Sequence, residues 1–131
     1  KNACYAAGSL KDLPPDLREA GFEAADGLCC LRDAYRDQVD VRKADIRRGA
    51  PDGPFDLILC RNTAFTYFDT AAQQAAFSDF DTKLRAGGYL VIGGHESLPG
   101  EAHGFERLTA ALPVYRKAES ARQLKARELR R

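Results

Sequence analysis

The sequence contains no methionine and no tryptophan, and it has no excess of charge of either sign. Among its 131 residues, 20 lysines and arginines balance 19 aspartates and glutamates, for a formal net charge of +1. A nearly neutral chain is not typical of a protein that binds nucleic acid through its net charge. A chain without methionine has no start residue, so we expect a fragment, a processed product or the ordered part of a longer protein.

Long apolar runs and metal-binding patterns are also missing. No run approaches the about 20 residues that a membrane-spanning helix needs, so the sequence predicts no membrane span. No secretory signal pattern opens the chain. The cysteines have none of the paired spacings of zinc sites, so no metal site is predicted. We therefore expect a cytoplasmic protein with reduced thiols at all four positions, Cys4, Cys29, Cys30 and Cys60.

The apolar runs that are present alternate with a helical pattern. Phe55–Cys60 is apolar on both faces, as is typical of a central strand in a parallel sheet covered by helices. A capping box at Thr70 and Gln73 predicts a helix start, and the Gly-Gly pair at 87–88 predicts its end. Tyr89–Gly93 predicts the next buried strand. Strand, helix and strand with short links indicate a crossover unit, and therefore an α/β fold.

Before this unit, the sequence predicts a short helix and two strands. Pro15 suits the first turn of the helix. The apolar run Leu28–Leu31 predicts one strand. Val39 and Val41 alternate with charged residues and predict a second strand that leads to Ala44–Ile46.

After the crossover unit, residues 105–109 and 114–117 predict a C-terminal antiparallel hairpin. Residues 118–131 are polar and basic, and they predict a solvated helical tail. No linker divides residues 1–117, so we expect them to belong to a single domain.

In an open α/β sheet, a ligand lies beyond the carboxyl ends of the strands. Residues at three such ends are therefore site candidates, each with a structural alternative. Asp45 could instead be a turn or cap residue. Asn62 could satisfy loose backbone groups while Arg61 pairs with a carboxylate. His95 and Glu96 could be a hydrogen-bonded pair in the loop after the last buried strand.

Several segments together are similar to one known family. They are Phe55–Asn62, Tyr67–Asp69, Leu84–Leu90 and Gly94–Glu96, with an earlier match at Tyr5 and Ser9–Pro14. The chain resembles the C-terminal part of the CheR-type methyltransferases, which use S-adenosylmethionine to methylate glutamate side chains of chemotaxis receptors. One departure is the order Gly-His-Glu-Ser at 94–97, where chemotaxis members have Gly-His-Ser-Glu.

The resemblance implies a partial Rossmann-like class I methyltransferase sheet, with helices on its faces, a C-terminal antiparallel hairpin and its N-terminal strands missing. The family's glycine-rich loop and ribose-binding acidic residue would lie before Lys1. We therefore expect this chain alone to bind S-adenosylmethionine weakly or not at all.

The resemblance also implies roles for individual residues. Asp45 and Ile46 would border the adenine ring, and Arg61 and Asn62 would lie along the cofactor near its amino-acid end. Tyr67 would face the transferred methyl group, so that Arg61 and Tyr67 are the candidate catalytic residues. The implied partner is a protein carboxylate, such as that of a chemoreceptor.

Two other interpretations stay open at this point. The acceptor could be a small molecule, or the chain could be a truncated or degenerate domain that serves as an interaction module. A sheet without its first strands would expose the edge of Phe55–Cys60, and such an edge predicts a homodimer.

Overall fold

The computed structural model describes residues 3–100 and 104–119. The described residues pack as two compact units, one within Lys1–Lys43 and the other within Ala44–Arg131. The predicted helical tail at 118–131 lies almost entirely outside the described residues.

The first unit is a small antiparallel sheet with two short helices. Its strands are β1 (Cys4–Tyr5), β2 (Phe22–Ala25) and β3 (Leu28–Leu31), in the order β1-β3-β2. Helix α1 (Pro15–Gly21) begins at Pro15, as predicted, and α2 (Asp33–Arg36) follows β3. Asp26 and Gly27 join β2 to β3 with φ values of 50° and 76°. These two left-handed residues suit the tight hairpin turn that matches the twist of paired strands.

Two predictions for this unit are wrong. Residues 39–45 form no strand, and Val39 and Val41 are exposed. In the described part of the chain, no strand pairs with these residues. Alternation of apolar and charged residues alone therefore does not make them a strand. The expectation of four reduced thiols also fails, because a disulfide joins Cys4 of β1 to Cys30 of β3.

The second unit contains the predicted strand, helix and strand. β4 (Phe55–Cys60) and β5 (Leu84–Ile92) are parallel neighbours, with Leu57 opposite Tyr89 and Cys60 opposite Ile92. The predicted hairpin is present as β6 (Phe105–Arg107) and β7 (Val114–Lys117), and the sheet order is β4-β5-β7-β6. This mixed α/β sheet with its C-terminal hairpin agrees with a partial methyltransferase fold.

Helices α3 (Ala64–Tyr67) and α4 (Thr70–Lys83) connect β4 to β5. The cap of α4 differs from the predicted capping box, because the side chain of Asp69, not Thr70, accepts the Ala72 amide hydrogen. Gln73 instead donates from its side chain to the carbonyl of Phe68 at 2.9 Å. The helix ends at Lys83, and the Gly-Gly pair at 87–88 lies within β5.

The core of this unit lies between α3, α4 and one face of the β4–β5 pair. Its fully or nearly fully buried side chains are apolar: Cys60, Ala64, Phe65, Ala76, Phe80, Leu84, Leu90 and Ile92. Burial of this face fixes which residues of β4 point outward, because successive side chains alternate across a strand.

Strand β4 has the apolar sequence typical of a central strand but lies at one edge of the described sheet, which is the exposed edge that the resemblance predicts. Within the described residues, β5 is its one neighbour. The Leu57 and Leu59 side chains on its outer face are 51% and 66% exposed. The apolar sequence of this face therefore has no covering element in the described chain. Pairing of this edge with a second copy stays a prediction.

Candidate functional site

The site is organised around the buried carboxylate of Glu96, just beyond the carboxyl end of β5. Its Oε2 accepts the backbone amide hydrogens of Asn62 at 3.0 Å and of Gly93 at 2.5 Å. Its Oε1 accepts the amide hydrogen of Thr63 at 3.2 Å and the hydroxyl hydrogen of Thr66 at 2.5 Å. One side chain thus ties the end of β4 and the start of α3 to the end of β5.

The backbone around this carboxylate leaves no room for other side chains. A Cβ on Gly93 would lie 2.7 Å from Oε2 of Glu96 and 3.0 Å from the side-chain amide of Asn62. Asn62 itself has a φ of 52°, in the left-handed region that asparagine tolerates better than most residues. The turn that follows β4 therefore depends on the identity of both residues.

Glu96 is ionised at neutral pH despite its burial, with 9% of the residue exposed. Desolvation by itself would raise the pKa of Glu96. The hydrogen bonds from Thr66, Gly93, Asn62 and Thr63 outweigh that effect and leave the pKa below its ordinary value. Both oxygens are occupied by donors, so this carboxylate has a structural role and is not a free general base.

The predicted site residues near the end of β4 differ in their relation to this network. Asn62 is fixed through its backbone amide. Arg61 is exposed, and its side chain has no carboxylate partner within the described residues. Among residues 3–100 and 104–119, no carboxylate therefore competes with a ligand for the Arg61 guanidinium group. Tyr67 lies at the end of α3 with 78% of the residue exposed.

A pocket of about 340 Å³ runs beside β4. Cavities of about 300–1,000 Å³ with mostly apolar walls are the usual size of small-molecule sites. Ile46 is part of its wall and packs against the core. The other lining residues are mainly apolar: Ala50, Pro51, Phe55, Leu57, Ile58, Leu59, Cys60, Thr63 and Phe80. Ile46 and the end of β4 thus line the same pocket.

Asp45 is engaged with its own neighbour. Its carboxylate accepts the Arg47 amide hydrogen and pairs with the Arg47 guanidinium group, with Oδ2 and Nη2 2.7 Å apart. The hydrogen bond from the Arg47 side chain is the main cause that lowers the pKa of Asp45 to about 2. Asp45 also caps the short 3-10 turn Ile46–Arg48. This arrangement favours the cap role that was its structural alternative.

The expected pairing of His95 with Glu96 is wrong. His95 is exposed, and no hydrogen bond joins it to Glu96 in the described part of the chain. Sequence reasoning missed the actual partners of Glu96 because they lie 30 to 34 positions away at Thr66, Thr63 and Asn62. The signal that could have suggested them is a polar residue directly after each of two adjacent parallel strands.

Two other kinds of feature are absent from residues 3–100 and 104–119. No group of three or more histidine, cysteine, aspartate or glutamate side chains is arranged to hold a metal ion there. No helix in that part is both long and apolar enough to cross a membrane.

Comparison with known proteins gives consistent matches. Residues 1–113 match the family described as "CheR methyltransferase, SAM binding domain". A probable chemotaxis protein methyltransferase of Rhizobium etli is 42% identical over 114 residues, which cover 79% of this chain and 41% of that protein. A chemotaxis protein methyltransferase of Vibrio anguillarum is 34% identical over 73% of this chain and 35% of its own length.

An uncharacterised 104.1 kDa protein of Rhodobacter capsulatus is 32% identical over 81% of this chain, which is 11% of that protein. The chain therefore spans well under half the length of these relatives. The family match is nevertheless continuous through both compact units and reaches the hairpin. The chain belongs to the CheR methyltransferase family, and its residues 1–113 match the SAM-binding domain of that family.

Proposed function

We propose that the protein transfers a methyl group from S-adenosylmethionine to a carboxylate, with a glutamate side chain of a protein such as a chemoreceptor as the acceptor. A cytoplasmic location is part of the same proposal. The observation that carries it is the Glu96 network, which fixes the backbone of Asn62, directly after Arg61, at the carboxyl end of β4 beside the apolar pocket. Relatives named chemotaxis protein methyltransferase support the receptor as acceptor.

The residues present fit one side of such a cofactor. The exposed outer face of β4, with Leu57, and the wall at Ile46 offer apolar surface for an adenine ring. The guanidinium group of Arg61, which has no carboxylate partner within residues 3–100 and 104–119, can bind a carboxylate in a bidentate manner. When bound, S-adenosylmethionine supplies an electrophilic methyl group on a sulfonium centre.

For this reaction, the main task of the protein is to align the acceptor carboxylate with the methyl group. A glutamate acceptor is already ionised at neutral pH, so no strong general base is required. This agrees with a site in which Glu96 is fully occupied by donors. We infer that Arg61 binds a carboxylate and that Tyr67 orients the acceptor oxygen and excludes water. Positioning of two reactants in this way is a large contribution to rate.

The proposal is tested with the full protein that carries this chain, labelled S-adenosylmethionine and the cytoplasmic part of a chemoreceptor. We expect label in the receptor as a base-labile ester that releases methanol. Label in a small molecule alone would show that the protein acceptor is wrong. Absence of cofactor binding and of transfer would instead favour an interaction module and overturn the proposal.

This chain by itself should bind S-adenosylmethionine only weakly. Its residues supply one wall of the pocket and one cationic side chain, and each missing hydrogen bond to a charged group removes about 1.5–3 kcal/mol. We expect a dissociation constant well above the micromolar range by titration calorimetry. Micromolar binding to this chain alone would mean that the residues described here are sufficient to hold the cofactor.

A further inference from the structure

The segment that follows Ile46 is hydrogen-bonded to side chains of α4 through the backbone of Ala50. The Ala50 amide donates to Oδ2 of Asp79 at 2.5 Å, and the Ala50 carbonyl accepts a hydrogen bond from Nζ of Lys83. Asp79 and Lys83 lie one helical turn apart and form an ion pair of 3.1 Å, with side chains 26% and 21% exposed. Both backbone polar groups of one loop residue are thus satisfied by one partly buried ion pair.

Other contacts show that this attachment is specific. The Ala50 amide is the main cause that keeps the pKa of Asp79 below its ordinary value, ahead of the Lys83 side chain. Near the end of the same loop, a Cβ on Gly53 would lie 2.4 Å from the Lys83 carbonyl oxygen. The loop backbone therefore runs directly against the end of α4 at two places, and a side chain at position 53 would separate them.

The attachment lies beside the pocket rather than inside it. Ile46, Ala50 and Pro51 line the pocket along β4, whereas Asp79 and Lys83 do not. Residues 49–54 form no helix or strand, so no regular hydrogen-bond ladder holds them in place. The position of this wall relative to β4 consequently depends on the two side chains of α4.

We propose that Asp79 and Lys83 are positioning residues that set the affinity for the adenosyl part of S-adenosylmethionine, by holding Ala50 and with it the Ile46 wall against the edge of β4. This inference rests on the proposed function. Neither residue touches the reacting atoms, so their loss acts on binding of the cofactor and leaves the transfer step itself nearly unchanged.

The test compares Asp79→Ala, Asp79→Asn and Lys83→Met in the full protein by steady-state methylation. Asp79→Ala removes the acceptor of the Ala50 amide, whereas Asp79→Asn keeps one acceptor oxygen. We expect KM for S-adenosylmethionine to rise about tenfold in Asp79→Ala and Lys83→Met, with kcat within about twofold of wild type. Asp79→Asn should restore most of the affinity. Asp56→Asn, which breaks the exposed Asp56–Arg85 pair, is the matched control and should change neither constant.

Hydrogen exchange of the Ala50 amide provides a second measurement that needs no activity. Faster exchange in Asp79→Ala together with the KM effect supports the inference. Faster exchange with an unchanged KM, or an equal loss of kcat in all three variants, overturns it while the proposed function stands. If the wild-type protein neither binds S-adenosylmethionine nor transfers methyl groups, the proposed function fails, and the attachment of Ala50 is structural only.

Discussion

Replacement of Glu96 by glutamine is expected to destabilise the second unit by about 3–4 kcal/mol, because the new amide places a donor against backbone amides that require an acceptor. Four donors converge on this carboxylate, from Asn62, Thr63, Thr66 and Gly93. A glutamine can accept with one oxygen only, so about half of these donors lose their partner. Urea unfolding of the wild type and of Glu96→Gln measures the difference in the free energy of unfolding.

The loss of stability in Glu96→Gln should also depend on pH. The pKa of Glu96 is lower in the folded chain than in the unfolded one, so its contribution is complete above the unfolded value of about 4.3. As the pH falls through the folded value, this contribution is lost. The stability difference between the wild type and Glu96→Gln should therefore be largest near neutral pH and should narrow below about pH 4.

Two further variants make the Glu96 result interpretable. Glu106→Gln removes an exposed carboxylate in β6 and should change stability by no more than about 0.5 kcal/mol. Thr66→Val keeps the size of the side chain and removes one donor to Glu96, at a cost of about 1–2 kcal/mol. If Glu96→Gln does not fold, Thr66→Val still tests the network. Equal stability of Thr66→Val and wild type would argue against it.

Sequence patterns predicted most strands and the long helix of the second unit because these elements are encoded locally. The apolar run Phe55–Cys60, the helix before Leu84 and the hairpin near 105–117 all follow from hydrophobic periodicity and turn residues. The cap of α4 was misassigned to Thr70 because Asp69, one position earlier, is an equally good cap residue. Which of the two residues caps the helix depends on the direction from which the chain enters α4, and the sequence does not determine that direction.

The first unit was predicted less well, although one local signal was present. Asp26-Gly27 between Phe22–Ala25 and Leu28–Leu31 is the dipeptide most typical of a two-residue hairpin. The alternation at Val39 and Val41, by contrast, suggested a strand that the structure does not contain. A strand forms only where a neighbour supplies hydrogen bonds, and the sequence near residue 40 cannot indicate whether that neighbour exists.

Long-range polar contacts were beyond sequence reasoning. Glu96 was considered only beside His95, because adjacent residues suggest adjacent side chains. Its actual partners follow β4, and they meet it because parallel strands place their carboxyl ends at the same edge of the sheet. The same principle correctly placed Arg61 and Asn62 at this edge.

Changes at Arg61, Asn62 and Tyr67 should separate binding from stability in the full protein. Arg61→Gln is expected to weaken S-adenosylmethionine binding about 10- to 100-fold, the effect of one charged hydrogen bond, with no loss of stability because its side chain is exposed. Tyr67→Phe should lower kcat about tenfold through loss of its hydroxyl group, with little change in melting temperature. On the same samples, calorimetry measures cofactor affinity, methylation rates give kcat, and thermal melts give the melting temperature.

Asn62 requires a different substitution from the usual alanine. Its φ of 52° would strain an alanine, so Asn62→Ala mixes backbone cost with loss of the amide. Asn62→Gly accepts this φ and keeps the backbone hydrogen bond to Glu96, so it removes only the side chain. We expect Asn62→Gly to weaken cofactor binding with little change in the free energy of unfolding. Asn62→Ala should lower both the cofactor affinity and the free energy of unfolding.

Tyr35→Phe serves as the control for loss of an exposed tyrosine hydroxyl and should leave kcat unchanged. The opposite pattern would be informative: if Arg61→Gln and Asn62→Gly lower the melting temperature and leave cofactor affinity as in wild type, these residues serve the fold and not the ligand. The crevice at the end of β4 would then be a structural junction organised by Glu96, and the cofactor would have to be held by other residues of the full protein.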